Sequence, residues 1–493
     1  MDYLFGFFIS TLVCWALIPI LISYAPQLGL LDAPGERKIH ISAIPRCGGV
    51  GIVAGAVLAV VILLPFNTHY YSLVVGGLII TLFGIIDDVF EINYKWKFLG
   101  QFLAVCYVIS QGVYIKIIPF MGLDEAPLFI SYILTVLFVI GVTNAVNLSD
   151  GLDGLAAGIM LLSLSCIAFF SYFSGNSEVG LMALAVMGGI IGFLRFNTHP
   201  AIIFMGDTGS QFIGFMAAFL VILLTQNVST AFNPALPLLI MGLPILDTIS
   251  VMTQRIRVGR SPFSPDKRHI HHKLLVYGFT HEEAVAAIYL LQALFLISAF
   301  CLRYAADWEV VSIYLAISVL ILAAFYFAGL KQWVLHTAGA GAGAGAGKRK
   351  NVLRNYRWLF SFCRKYIEYS IVFYMASLVS CLLYFSRPEW FLEVALVMLS
   401  FCLFKWTSFT LQKFLIRIGI YSSVFFSSYA LSKLSDVYQA IFDFVDIFFV
   451  LIQTTFEKFH FSTFLILRQF DSLKEVFVFP LITPIFLSPF LMQ

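Results

Sequence analysis

The stretch Asn144-Ala-Val-Asn-Leu-Ser-Asp-Gly-Leu-Asp-Gly-Leu155 breaks two long apolar runs with two carboxylates, two carboxamides and two glycines. A carboxylate at the centre of a membrane helix costs roughly 2.5–3.5 kcal/mol on insertion scales. An ordinary turn needs only one Asp-Gly pair. Two such pairs beside two asparagines therefore point to a place where an ion or polar ligand meets the edge of a bilayer, flanked by membrane helices.

The rest of the chain agrees with that setting. Of 493 residues, 60% are hydrophobic and 12% charged, with a mean hydropathy of +0.93, which excludes an ordinary soluble domain. The fold class read from this pattern is an all-α polytopic membrane protein. Apolar runs long enough to cross the hydrocarbon as helices fall at about 3–24, 47–66, 71–87, 98–118, 128–146, 154–173, 179–196, 209–226, 234–252, 283–302 and 308–329, eleven in all. The first lacks a basic start and a small-residue cleavage site, so it reads as a span and not as a signal peptide. Eight cysteines scattered singly, with no CxxC pair, suggest neither a disulfide framework nor a zinc site.

Polar clusters and bare turns alternate between the spans. The rich clusters are Leu31–Arg46, Asp87–Lys97, Asn144–Asp153, Arg195–Asp207 and Thr253–His281. Each is two spans from the next, so all five emerge on one face. Of the fifteen Lys and Arg before residue 338, only Lys116 and Arg303 fall on the other face. The positive-inside tendency makes the rich face cytoplasmic. A merely solvated face would explain the basic residues, but not the Asp residues gathered with them.

Residues 1–337 thus read as one membrane domain with catalytic cytoplasmic loops. Residues 338–347 are five Ala-Gly repeats, a flexible connector. Residues 348–493 form a hydrophobic, helical C-terminal extension with a single glycine, Gly419, a basic opening and no polar cluster resembling a site.

Three further pieces carry chemistry. Asp87 and Asp88 end the third span, where adjacent carboxylates need a cation or basic group to stay ionised. Asp207 lies in Phe204-Met-Gly-Asp-Thr-Gly-Ser210 at the start of an apolar helix, where backbone amides suit phosphate. A glycine-rich helix cap would look the same taken alone. The last cytoplasmic loop runs through Arg255, Arg257 and Arg260 to Ser261-Pro-Phe-Ser-Pro-Asp-Lys-Arg-His-Ile-His-His272. Its cation excess favours an anionic ligand over zinc at His269, His271 and His272, which lack the helical zincin spacing. Carboxylates that suit Mg²⁺ facing a basic loop that suits phosphates imply a phosphoryl-type transfer at the membrane surface.

These motifs, together with Lys38-Ile-His-Ile-Ser-Ala-Ile-Pro-Arg-Cys-Gly-Gly49, resemble the polyprenyl-phosphate N-acetylhexosamine-1-phosphate transferases. The likeness covers about residues 1–335 and is nearest the branch that joins undecaprenyl phosphate to N-acetylglucosamine. The resemblance implies that a UDP-N-acetylhexosamine gives its sugar-1-phosphate to undecaprenyl phosphate and releases UMP. This would be the first lipid-linked step of a cell-surface polysaccharide such as O-antigen lipopolysaccharide, at the cytoplasmic face of a bacterial inner membrane. It implies Mg²⁺, or Mn²⁺, held by Asp207 with Asp88. Asp87 would deprotonate or position the lipid phosphate, supported by Asp88. Asn147, Asp150 and Asp153 would line the nucleotide-sugar site. His271 would act at the reacting phosphates, with His269, His272, Arg255, Arg257 and Lys38 as further substrate contacts. The family is often dimeric, so a homodimer is expected, and no nucleic-acid partner is. Glu91 stands where the family carries Asp. Within the same chemistry, the alternative is a phospho-N-acetylmuramoyl-pentapeptide transferase, against which the Ser261–Asp266 sequence speaks. From another class, an ion-coupled transporter would place its ionisable groups mid-span, whereas here they cluster at span ends.

Overall fold

A computed structural model describes residues 2–32, 43–121, 125–226, 232–261 and 268–331. Lys38, residues 262–267, the Ala-Gly repeat 338–347 and the extension 348–493 lie outside the described residues.

The described chain is a helical, multi-pass membrane protein. Eight helices are long and apolar enough to cross a bilayer: α1 (Asp2–Tyr24), α3 (Thr68–Phe90), α5 (Leu128–Leu148), α6 (Leu155–Phe173), α7 (Ser177–Asn197), α8 (Gly206–Thr225), α12 (His281–Cys301) and α13 (Asp307–Leu330). The other three predicted spans coincide with shorter helices. These are α2 (Gly48–Leu63), α4 (Tyr94–Ser110) and a pair, α9 (Leu236–Ile240) and α10 (Gly242–Arg257). Between them lie a two-residue ribbon, β1 (Leu31–Asp32) and β2 (Ile44–Pro45), and the short α11 (Ile270–Val276).

Two of the short helices differ from the sequence reading for local reasons. The span expected to reach 118 stops at Ser110: the amides of Gln111, Gly112 and Val113 close the last turn onto Val108 and Ile109, Gly112 turns the chain with a φ of 89°, and the amides beyond bond side chains of other helices. Ile115 N donates to Thr135 Oγ1, and Lys116 N and Ile117 N both donate to Gln226 Oε1. The span expected over 234–252 is broken at Met241. Pro244 has no N–H to give the carbonyl of Ile240. That carbonyl instead accepts from Gln292 Nε2 at 2.9 Å and Ser163 Oγ at 2.9 Å. The freed amide of Leu243 donates to Gln292 Oε1 at 3.2 Å. An interrupted helix is tolerated at membrane depth when neighbours satisfy its backbone in this way.

Helix α8 is apolar all round and buried along nearly its whole length, as such a helix must be. It packs against α2, α3, α5, α6 and α7. The outer helices turn Leu12, Trp15, Leu82, Phe129, Leu137 and Leu320 outward, where lipid is a suitable solvent. At one end, β2 and the start of α2 dock on the chain entering α8. Phe204 N donates to Pro45 O, while Gly48 N and Gly49 N donate to Phe204 O and Met205 O. The five polar clusters read from the sequence are joined by contacts at this end.

Candidate active site

Asp88 is the structural hinge of the cluster. It lies in the last turn of α3 and is buried. Its Oδ1 accepts from Asp207 N at 2.9 Å, and its Oδ2 accepts from Thr208 N at 3.1 Å and Thr208 Oγ1 at 2.6 Å. A carboxylate there satisfies amides that the first turn of α8 leaves open and meets the positive end of the helix dipole. The approach requires Gly206: its φ is 71°, and a Cβ would stand 2.5 Å from Asp88 Oδ2.

That cap aims the next side chain, Asp207, at Lys97 from the first turn of α4. The Lys97 amine lies 2.8 Å from Asp207 Oδ2 and 2.6 Å from Asp87 Oδ2. One lysine thus holds two carboxylates from α3 and α8 that would otherwise repel. Asp87 Oδ1 is buried and accepts no hydrogen bond among the described residues, an oxygen free for a ligand. Asp207 Oδ2 also accepts from Gln211 Nε2 at 3.2 Å, and the Asn147 side chain lies near its carboxylate. Behind it, Gln101 Nε2 donates to Gln211 Oε1 at 2.9 Å, and Asn144 Nδ2 donates to Gln101 Oε1 at 2.7 Å. This amide chain ties α4, α5 and α8 together beneath the carboxylates.

The Asn144–Leu155 stretch supplies the end of α5 and the turn into α6. Asp150 keeps an exposed face. Enclosure by protein, followed by the charges of Asp207, Asp153 and Asp88, pushes its carboxyl up to about 7. The adjacent Gly151 has His271 packed directly on it, and any Cβ there would collide with the imidazole Nε2. The last loop therefore reaches this turn through His271. Burial, then the neighbouring His272, brings the His271 imidazole down to about 3 against the pull of Asp247, so the ring is neutral and donates or accepts without charge. His269 is buried with Nδ1 2.8 Å from Asp247 Oδ2, and Asp247 Oδ1 accepts from Ile270 N at 2.9 Å. Asp247 thereby fixes the start of α11. The rings of His271 and His272 lie 4.2 Å apart. Arg255 is buried at the end of α10, and Arg257 projects into solvent.

Asp153 faces elsewhere. Its Oδ2 lies 2.6 Å from His199 Nδ1 and accepts from Ala201 N at 3.1 Å. Burial alone would raise this carboxyl, but the His199 and Ala201 hydrogen bonds and the nearby His281 hold it below the usual carboxylate range.

The profile of glycosyl transferase family 4 matches residues 70–225. A relative from Bacillus subtilis, a probable undecaprenyl-phosphate N-acetylglucosaminyl 1-phosphate transferase, is 38% identical over 307 residues, covering 62% of this chain and 86% of the relative. The chain belongs to this transferase family. The decaprenyl-phosphate N-acetylglucosaminephosphotransferase of Mycobacterium leprae is 34% identical over 301 residues, 54% of this chain and 75% of the relative. The undecaprenyl-phosphate alpha-N-acetylglucosaminyl 1-phosphate transferase of Yersinia pestis is 33% identical over 277 residues, 55% and 76% of the two chains.

In this transferase chain, the matched region holds Asp87, Asp88, Asn147, Asp150, Asp153 and Asp207, while the His269–His272 loop lies beyond it. The structure joins Asp87 to Asp207 through Lys97, ties Asp88 to the start of α8, and sets Asn147, Asp150 and His271 nearby. It turns Asp153 away and leaves Arg257 outward. Glu91 caps α3 in a left-handed conformation and pairs with Arg46 at 3.2 Å. The sequence reading did not single out Lys97, Gln101, Gln211, Asp247, His199 or His281. For Lys97 a signal existed: it lies just C-terminal to the Asp pair, at the mouth of an apolar run. Gln101, one turn on, and Gln211, one turn past Asp207, are polar residues inside such runs, which itself calls for a partner.

Proposed function

We propose that this protein transfers N-acetylglucosamine-1-phosphate, or a related N-acetylhexosamine-1-phosphate, from a UDP-sugar to undecaprenyl phosphate. A phosphate oxygen of the lipid bonds to the phosphorus that carries the sugar, the diphosphate bond to uridylate breaks, and UMP leaves. The site faces the cytoplasm of a bacterial inner membrane, on the side where Lys and Arg concentrate. The observation that carries the reading is the buried, unbonded Asp87 Oδ1 beside Asp207, both carboxylates sharing Lys97.

Asp87 accepts the proton of the incoming lipid phosphate or orients it, with Lys97 fixing its other oxygen. Carboxylate and carboxamide oxygens from Asp207, Asp87 and Asn147 suit a hard cation such as Mg²⁺, and Asp207 is the residue to hold it. When bound, that cation offsets charge on the phosphoryl group in transfer. Asp88, whose oxygens both accept from the start of α8, keeps Asp207 in place. Asp150 and the neutral His271 face the nucleotide sugar, and Arg255 strengthens the field that draws the diphosphate in. Between α2 and α3, an apolar cleft of about 410 Å³ lined by Val53, Val57, Leu58, Val61 and Leu78 receives the first isoprene units. Thr81, at its edge, lies two helical turns before Asp88.

The test is transfer of label from UDP-N-acetylglucosamine to undecaprenyl phosphate by purified protein, with and without Mg²⁺. Metal-dependent labelled lipid together with UMP is the expected result, with Asp207→Asn inactive but still membrane-inserted. No transfer from any UDP-amino sugar would overturn the reading.

A further inference from the structure

Asp247 lies on α10, the second half of the interrupted helix, and its carboxylate grips the end of the basic loop at two points. Oδ2 stands 2.8 Å from His269 Nδ1, and Oδ1 accepts from Ile270 N at 2.9 Å. A carboxylate offers only acceptors, so Nδ1 is a nitrogen that carries a ring proton. The two side chains are 5% and 9% exposed, a setting in which a hydrogen-bonded pair is strong and a half-made one is costly. The partners lie 22 and 23 positions after Asp247. One carboxylate thus closes the whole loop between α10 and α11.

The helix that follows depends on this grip. At seven residues, α11 is too short to hold its own shape in isolation. The His269 side chain at its N-cap makes no cap hydrogen bond. Asp247 instead supplies the acceptor for Ile270 N, an amide that the first turn leaves open. His271 follows directly. It is buried and packs on Gly151 beside Asp150, and its ring lies 5.7 Å from that of His269 with 10° between planes. Asp247, His271 and Ser149 line one small cavity of about 10 Å³, at the lower limit for a single water. Solvent has little room there to take the place of the carboxylate.

We propose that Asp247 is a positioning residue for the transfer reaction. Through His269 and the start of α11 it sets where His271 stands against the Asp150 turn, and hence how the nucleotide sugar is seated. His269 is then an internal anchor engaged by Asp247, and His271 is the histidine of the loop that meets the donor. The inference rests on the function proposed above, in which His271 and Asp150 face the nucleotide sugar. This chain of contacts does not run through Asp87, which places the lipid phosphate.

The experiment uses the full chain in detergent and compares KM for the UDP-sugar with KM for undecaprenyl phosphate. Asp247→Ala should raise the donor KM roughly tenfold or more, as a displaced contact does, while the acceptor KM stays within about twofold. A merely structural loss lowers the melting temperature and the yield of folded enzyme without separating the two values. Asp247→Asn keeps an oxygen for Ile270 N but turns an N–H toward His269 Nδ1, and should show the same separation even where Asp247→Ala does not fold. His269→Asn places an amide N–H where the imidazole has its Nδ1–H, and should recover most of what His269→Ala loses. Nitrogen NMR of isotope-labelled histidine, with the His269 signals assigned by their absence from His269→Asn, reads the ring without substrate. The proton should sit at Nδ1 in the unaltered protein and move to Nε2 in Asp247→Asn. Equal change in the two KM values, or no change, would overturn the proposal. So would His269→Asn no better than His269→Ala, or an Nδ1 without its proton in the unaltered protein. Absence of any transfer by the unaltered protein would instead overturn the function proposed above, and this role with it.

Discussion

Replacing Lys97 by Met keeps the length of the side chain and deletes its charge. In the structure this amine makes two charge-assisted contacts, 2.6 Å to Asp87 and 2.8 Å to Asp207. Hydrogen bonds to charged groups contribute about 1.5–3 kcal/mol each. The Lys97 and Asp207 side chains are 31% and 27% exposed, while that of Asp87 is 7% exposed, so solvent screening favours the lower end. The two together come to about 3 kcal/mol. Without the amine, Asp87 and Asp207 confront each other uncompensated, and one of them takes up a proton. If the loss falls on the transition state, kcat drops about a hundredfold, since 1.36 kcal/mol is a factor of ten. The assay is kcat for labelled-lipid formation at saturating donor and acceptor, alongside a melting curve in the same detergent. Lys97→Arg, which keeps the charge but not the compact ammonium, should recover part of the rate. Turnover of Lys97→Met within about twofold of the unaltered protein would refute the bridging role argued from these distances.

Gly151→Ala drives a methyl group into His271. It should lower kcat/KM by roughly ten- to a hundredfold through misplacement, with little change in melting, both read in one preparation. Gln292→Leu orphans the amide of Leu243 at the α9–α10 break. The expected cost is about 1–3 kcal/mol, seen as a lower melting temperature, with kcat per folded molecule preserved. A carboxyl raised to about 7, as at Asp150, is neutral below that pH and charged above it. If the charged form serves the donor site, kcat/KM rises on a limb centred near pH 7, and Asp150→Asn removes that limb. His271, down at about 3, should contribute no inflection above pH 5.

The helical membrane architecture was legible because its signal is hydropathy over about twenty residues, and eight of the predicted spans are helices of membrane length. The break at Met241 was not, since Gly242-Leu-Pro244 also occurs in helices that merely kink. What splits this one is Gln292, fifty residues away. Asp87, Asp88 and Asp207 stood out as charges at the ends of apolar runs. Their division of labour did not, because it depends on Asp88 meeting the start of α8 and on Lys97 reaching two helices. The histidine loop looked like one unit in sequence. In space, His269 is bound to Asp247 while His271 reaches Gly151. His199 and His281 each look like an isolated loop residue, and only the tertiary fold stacks them.

The distances along the chain between partners have a consequence for biosynthesis. Each span closes its own backbone hydrogen bonds and can enter lipid as it is made. The bonds that satisfy Asp88 come from residues 119 and 120 positions later, and Lys97 waits 110 positions for Asp207. Until α8 emerges, Asp88 at the end of α3 lacks the partners that α8 brings, the amides of Asp207 and Thr208 and the Thr208 hydroxyl. The candidate site therefore cannot form on a short nascent chain. It requires α8 in place against α3 and α5.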